Sequence, residues 1–310
     1  MNMKTFTLFA VGLLFSLSGF AQGRILGSLE ANPDVRSAGM GHVLLGNTDQ
    51  MHLYSNPAAL IFSRQKVSAD LGTEIYPDSE VGRLAQFNFG GSFKFHPHRA
   101  FLVGLRRQGG LSLPTTAGKG DLKPYEFTAD LGYAFAVTSD VVVYASGSYV
   151  RSYVGTTAQG LSFSVGVGYQ KEVTLAGQPS LLTLGLRLLD AGKAVKFGHT
   201  KLPHSLPTSI VTGGDWAMTL AHRHRLTYAL SARAFTPKGG RELHIGTGLE
   251  YTYNRLVSAR LGYQFADKGA DRLTLGAGVQ YDKFRLNAAY SHSPAQHGVD
   301  TFLLGIGLTL

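Results

Sequence analysis

A serine, a histidine and an acid come close together at one place in the chain, Tyr290-Ser291-His292-Ser293 with Asp300 nearby. A serine activated by histidine is the machinery of acyl transfer. No Gly-x-Ser-x-Gly elbow accompanies it and Asp300 stands at no required spacing, so the segment reads as a serine-rich strand end with no catalytic residue. His222 and His224 would share one strand face, which is half of a metal site, but no third ligand has a fixed spacing. His96 and His98 read the same way, and no metal is expected. Gly246-x-Gly248 and Gly276-x-Gly278 mimic nucleotide-binding glycines, yet they lie inside alternating segments without a following helix. They read as strand glycines facing a lumen, and no cofactor is expected. Cysteine is absent from all 310 residues, which removes disulfides, thiolate metal sites and a cysteine nucleophile.

The elements that carry these residues are strands. Only 16% of residues are charged, while glycine numbers 39 and phenylalanine and tyrosine 18 and 14, a mix that disfavours long helices. Segments of about ten residues alternate apolar and polar with period two from Lys66 onward, as strands with one lipid face and one lumen face must. Ala85, Phe87, Phe89, Phe93 and Phe95 form one face; Gln86, Asn88, Gly90, Ser92 and Lys94 form the other. The pattern recurs at Phe127–Phe135, Leu161–Tyr169, Leu273–Tyr281 and Phe302–Leu310. The expected fold is all-β, a transmembrane antiparallel β-barrel of about fourteen strands, running from a first strand near 67–73 to a last near 300–310. Long links are expected at 74–82, 108–124, 151–159 and 190–207. Tight ones are expected at His96-Pro97-His98, Thr138-Ser139, Asn254 and Asp282, with a longer turn at 173–180.

The start of the chain reads as an export signal: Lys4, an apolar run Phe6–Phe20, and small residues at Gly19-Phe20-Ala21, with cleavage after Ala21. The expected organisation is therefore a signal peptide over 1–21, an N-terminal plug or periplasmic-side cap over 22–65, and a barrel over 66–310. A barrel of that width needs filling. The net charge of +9 then points to outer-membrane lipid and lipopolysaccharide, acidic protein partners or a polar lumen, and not to nucleic acid.

Within the N-terminal segment, Asn32-Pro33-Asp34-Val35-Arg36-Ser37-Ala38-Gly39-Met40-Gly41 is followed by Ser55-Asn56-Pro57-Ala58-Ala59-Leu60. Further on come Leu206-Pro207-Thr208-Ser209, Gly248-Leu249-Glu250-Tyr251, Ala259-Arg260-Leu261-Gly262-Tyr263 and Leu275-Gly276-Ala277-Gly278-Val279. Together these resemble the PorV/PorQ family, relatives of the FadL long-chain fatty-acid transporters. The resemblance implies a fourteen-stranded outer-membrane barrel that works with type IX secretion proteins or the signal domains of their cargo. A FadL-like transporter of small hydrophobic molecules, gated by the N-terminal segment, is the alternative.

Two groups of residues are candidates for function. Asp34, Arg36, Gly39, Met40, Gly41, Asn56 and Pro57 form a plug or gating element, in which Arg36 could pair with Asp34 and the glycines permit positive φ; the plainer reading is a salt bridge and turns that seat the plug. Lys119, Asp121 and Lys123, with Lys193, Lys196, His199 and Lys201, lie on the two longest loops as partner-binding positions, or as charges solvated beside lipopolysaccharide. A lumen set of Lys94, Arg106, Arg187, Arg233, Arg260, Arg272, Lys283 and Arg285 against Glu126, Asp130, Asp215, Glu242 and Glu250 implies a polar, mildly basic interior. That interior argues against an apolar transport path.

Overall fold

The structure, a computed structural model, describes residues 26–115, 120–175, 177–198, 203–221, 223–237, 239–269, 271–295 and 298–310. The export signal and its cleavage point lie outside the described residues, as do Lys119, His199, Lys201 and His222. Alternating sequence becomes strand throughout: β1 Val67–Ser79, β2 Gly82–His96, β3 Arg99–Leu111, β4 Tyr125–Ala136, β5 Val141–Tyr153, β6 Thr157–Leu175 and β7 Gln178–Gly192. The second half is β8 Ser209–Leu220, β9 His224–Phe235, β10 Glu242–Tyr253, β11 Val257–Ala266, β12 Arg272–Tyr281, β13 Phe284–His292 and β14 Thr301–Thr309. Each strand pairs antiparallel with its neighbours in sequence, and β1 closes on β14 from Ser68↔Thr309 to Ile75↔Phe302, giving a closed barrel of fourteen strands. Closure leaves no edge, so every backbone group in the hydrocarbon finds a partner.

Period-two alternation decides which side chains meet lipid. Phe87 is 61% exposed while its neighbours Gln86 and Asn88 are buried. Leu273 and Leu275 face outward around the buried Thr274, and Leu161 and Phe163 around Ser162. Not every inward residue is polar: Leu303 on β14 points inward at 1% exposure and packs with Val35, Ala38 and Ala289.

Several links are shorter than expected, at both ends of the barrel. β1 and β2 continue to Ser79 and from Gly82, so the link expected at 74–82 shrinks to Glu80-Val81. The link expected at 151–159 shrinks to 154–156, and β6 and β7 pair as far as Leu175↔Gln178. The reason is physical: Pro77, Asp78 and Ser79 are exposed beyond the lipid band, where both faces are polar and alternation vanishes although backbone pairing goes on. The tight turns at Pro97-His98 and at Asn254 (φ 50) with Arg255 (φ 58) mark the end that also carries Lys66 and Leu310. We call this the turn end, and the opposite one, with links 112–124, 193–208 and 293–300, the loop end.

Candidate functional site

Residues 26–65 thread the lumen from the loop end to the turn end and are almost wholly buried; we call them the plug. They contain three short helices, α1 Gly27–Glu30, α2 Val35–Ala38 and α3 Pro57–Phe62. Asp34 caps α2 by accepting from the backbone N–H of Arg36 and Ser37, and its carboxylate also accepts from Thr48 Oγ1 at 3.1 Å and Gln50 Nε2 at 2.6 Å. Asn56 caps α3, accepting from the Ala58 N–H at 3.1 Å, with Pro57 at the first helical position. The Asn56-Pro57 pair is therefore a helix start and not a simple turn.

Arg36 does not pair with the Asp34 carboxylate through its guanidinium. It donates to Glu250 on β10 through Nε at 2.9 Å and Nη2 at 2.7 Å, and its Nη1 reaches the Asn47 carbonyl. Arg260 on β11 donates to the same carboxylate at 2.6 Å and to Asn287 Oδ1 at 2.8 Å, while Asn287 donates back to Gln50 at 2.8 Å. One buried network thus joins plug to wall.

Further ties ring the lumen. Asp70 on β1 accepts from the Met51 N–H at 3.0 Å and from Arg285 at 2.8 Å; Asp215 on β8 accepts from the Asn47 N–H at 2.8 Å. Arg106 and Asp130 pair at 2.9 Å, with the Tyr54 hydroxyl donating to Asp130 and Arg106 donating to the Ser28 carbonyl. Lys94 donates to the carbonyls of Leu60, Ile61 and Ser63 as α3 ends, where a cation is favoured. Burial pushes His52, 2% exposed, down to about 4, so its ring is neutral in the seated plug.

The glycines do a different job. Gly41 has φ 72, and a Cβ on it would lie 2.5 Å from the carbonyl oxygens of Thr247 and Tyr263. Across from it, a Cβ on Gly248 would lie 2.5 Å from the Met40 carbonyl oxygen, and side chains at Gly246 or Gly262 would overlap Gly41 itself. Gly39 meets Gly276 in the same way. Gly246 and Gly248 of β10, Gly262 of β11 and Gly276 of β12 are therefore the seat on which plug backbone lies against strand backbone, whereas Gly278 faces the Asn287 and Arg260 side chains of the wall.

On either side of that seat is a cavity. The loop-end cavity, ≈ 100 Å³, runs between plug residues such as His42 and Leu44 and wall residues Tyr76, Phe235, Ala266, Arg233 and Arg272. The turn-end cavity, ≈ 210 Å³, is lined by Arg36, Asp49, Arg225, Arg255, Arg260 and Arg285 among others.

Other sequence candidates are placed as follows. Asp121, Lys123, Lys193 and Lys196 are exposed at the loop end, where Val195 and Phe197 fold down onto Leu26 and Leu29. Lys283 lies exposed in the β12–β13 turn and not in the lumen, because β13 begins at Phe284, one residue later than its alternation suggests. The interior is also less polar than expected: Ala100, Leu102, Ala134, Val142 and Tyr144 form an apolar wall against α3. Asp70, Glu74 and Asp190, missing from the sequence-derived lumen set, are buried there; continuing the β1 alternation past Thr73 is the signal that finds Glu74. His292 pairs with Asp300 at 3.0 Å, but Ser291 faces the lumen while His292 faces outward. The Tyr290 hydroxyl donates to Asp300 at 2.6 Å and holds its carboxyl below the usual range. No three metal-ligating side chains cluster among the described residues.

No family model matches the chain, and no curated protein matches it significantly. Solved structures do. The Ralstonia pickettii toluene transporter TbuX is 13% identical with a TM-score of 0.61, covering 92% of this chain and 98% of that one. The Pseudomonas putida toluene transporter TodX is 15% identical with a TM-score of 0.56 (88% and 97% covered), and a Pseudomonas aeruginosa FadL homologue is 12% identical with 0.56 (94% and 99%). At such identities the likeness is one of fold: this chain is a closed fourteen-stranded barrel like the FadL-like outer-membrane barrels. Two of these neighbours are toluene transporters, and the likeness carries their fold and not their role.

Proposed function

We propose that the chain is an outer-membrane conduit for small, largely apolar molecules, exported by cleavage near Ala21 and gated by its own plug. The supporting observation is the pair of cavities on opposite sides of one seal, at Gly39-Met40-Gly41 on the glycines of β10–β12. A seal of backbone against backbone opens by displacing a short stretch of plug while the wall stays paired. The loop-end cavity offers Leu44, Phe235 and Ala266 beside Arg233 and Arg272, which suits an apolar body with one polar end.

The test exploits the absence of native cysteine. A Cβ on Gly39 would lie 3.6 Å from that of Ala289, within the roughly 3.5–4.5 Å that a disulfide spans. In proteoliposomes carrying Gly39→Cys with Ala289→Cys, uptake of a monoaromatic hydrocarbon should stop on oxidation and return on reduction. Equal uptake in both states would refute gating at this seal.

A second reading, partner engagement in type IX secretion, draws on the exposed Asp121, Lys123, Lys193 and Lys196 beside a packed loop-end lid. It requires secretion proteins or cargo to co-purify with a tagged copy from the native membrane in mild detergent. Recovery of the barrel alone, with a bound hydrophobic molecule, supports the conduit.

A further inference from the structure

The turn-end cavity of ≈ 210 Å³ holds five arginines, Arg36, Arg225, Arg255, Arg260 and Arg285, against two carboxylates, Asp49 and Glu250. Buried pairing consumes only part of that charge. Arg36 and Arg260 share the one carboxylate of Glu250. Arg285 is held by Asp70 at 2.8 Å, with Asp49 at 3.7 Å. The side chains of Arg225 and Arg255 form no hydrogen bond or ion pair with the described residues. Arg225 is half-buried on the lumen side of β9, repelled by Arg36 and Arg255 and attracted by Asp215 and Glu250. Arg255 projects from the tight β10–β11 turn, whose left-handed residues fix where its side chain starts. Guanidiniums gathered with too few carboxylates repel one another, and an anion entering among them relieves that repulsion.

We propose that this cavity binds a single small oxyanion of the phosphate class, held between Arg225 and Arg255 of the wall and Arg36 of the plug. Guanidinium forks match the spacing of phosphate oxygens and bind them in pairs. A water occupies about 30 Å³, so the cavity accommodates such an anion together with part of its hydration. Glu250 does not repel it strongly, because two guanidiniums already neutralise that carboxylate. Since Arg36 belongs to the plug and the other two to the wall, the bound anion ties one to the other and favours the closed state. The site is independent of what the barrel conducts. The same chemistry is presented by free phosphate and by the headgroup of an anionic phospholipid at the barrel mouth.

The experiment is calorimetric titration of inorganic phosphate into the full-length barrel in detergent, with chloride at matched ionic strength as the control. A parallel arm measures native mass spectra of the barrel released from phosphatidylethanolamine vesicles with and without phosphatidylglycerol. Saturable one-to-one phosphate binding, weakened at least tenfold in both Arg225→Gln and Arg255→Gln, supports the site with free phosphate as ligand. No phosphate binding but a retained phosphatidylglycerol, lost in both variants, supports it with a lipid headgroup as ligand. Neither ligand bound, or binding unchanged in both variants, overturns it. Neither arginine side chain makes a hydrogen bond or ion pair with the described residues, and the heat-modifiable migration of each variant confirms that its barrel has formed.

Discussion

Arg36 holds the plug through two donors to Glu250, and neither partner is replaced locally if it is lost. Removing one member of a buried pair costs about 3–5 kcal/mol; Glu250 keeps Arg260, which sets Arg36→Ala near the lower end. The expected outcome is a seated state weakened by about 3 kcal/mol, seen in planar bilayers as frequent openings where the parent protein is mostly closed. Arg36→Lys should resemble the alanine variant, because a lysine cannot reproduce the fork. His52 adds a pH dependence. Its ring sits at about 4 in the seated plug against an ordinary 6.5, so a displaced plug takes up a proton that the seated one refuses. Seating is then unaffected above about pH 6.5 and weakens as the pH falls from there towards 4. Openings that increase on acidification in the parent protein should increase less in His52→Gln; equal increases would assign the effect to other groups.

Strands β10, β11 and β12 serve two purposes, and only one is visible in their alternation. Their outward residues satisfy lipid, whereas Gly248, Gly262 and Gly276 leave the inward face flat enough for plug backbone to lie on it. Gly262→Val separates these roles. A β-branched residue suits the strand itself, but its side chain takes the space of Gly41. The barrel should still form, shown by heat-modifiable migration in gels, while trypsin gains access to the bond after Arg36. Continued protection of that bond would mean that the seal lies elsewhere.

The molecule as a whole is a lipid-facing cylinder around a segment whose three helices are short and bury themselves largely against the wall. Barrel stability and plug seating therefore respond to different substitutions. Leu275, 52% exposed in the middle of β12, should cost about 2–4 kcal/mol as Leu275→Arg, and Tyr281 at the strand end only about 0–1 kcal/mol as Tyr281→Arg. Reversible unfolding in lipid bilayers measures both. Equal costs at the two positions would displace the membrane band from the one drawn here.

The sequence by itself determined the barrel, its strand number and the lipid face, because a strand with two solvents must alternate and each residue reports its own side. It also excluded thiol chemistry outright. Strand lengths beyond the lipid were not legible, since polar residues on both faces of β1 erase the period. Nor was the plug's seating: Arg36 finds Glu250 across a separation of 214 residues, while Asp34, two residues away, is occupied in capping α2. No local pattern encodes such a choice. Nothing in the sequence distinguishes Arg225 and Arg255 from other charged residues near turns, and only closure of the cylinder brings them to one cavity with Arg36. Alternation is a property of neighbours along the chain, whereas charge surplus and backbone contact inside the lumen belong to residues that meet only when the first strand pairs with the last.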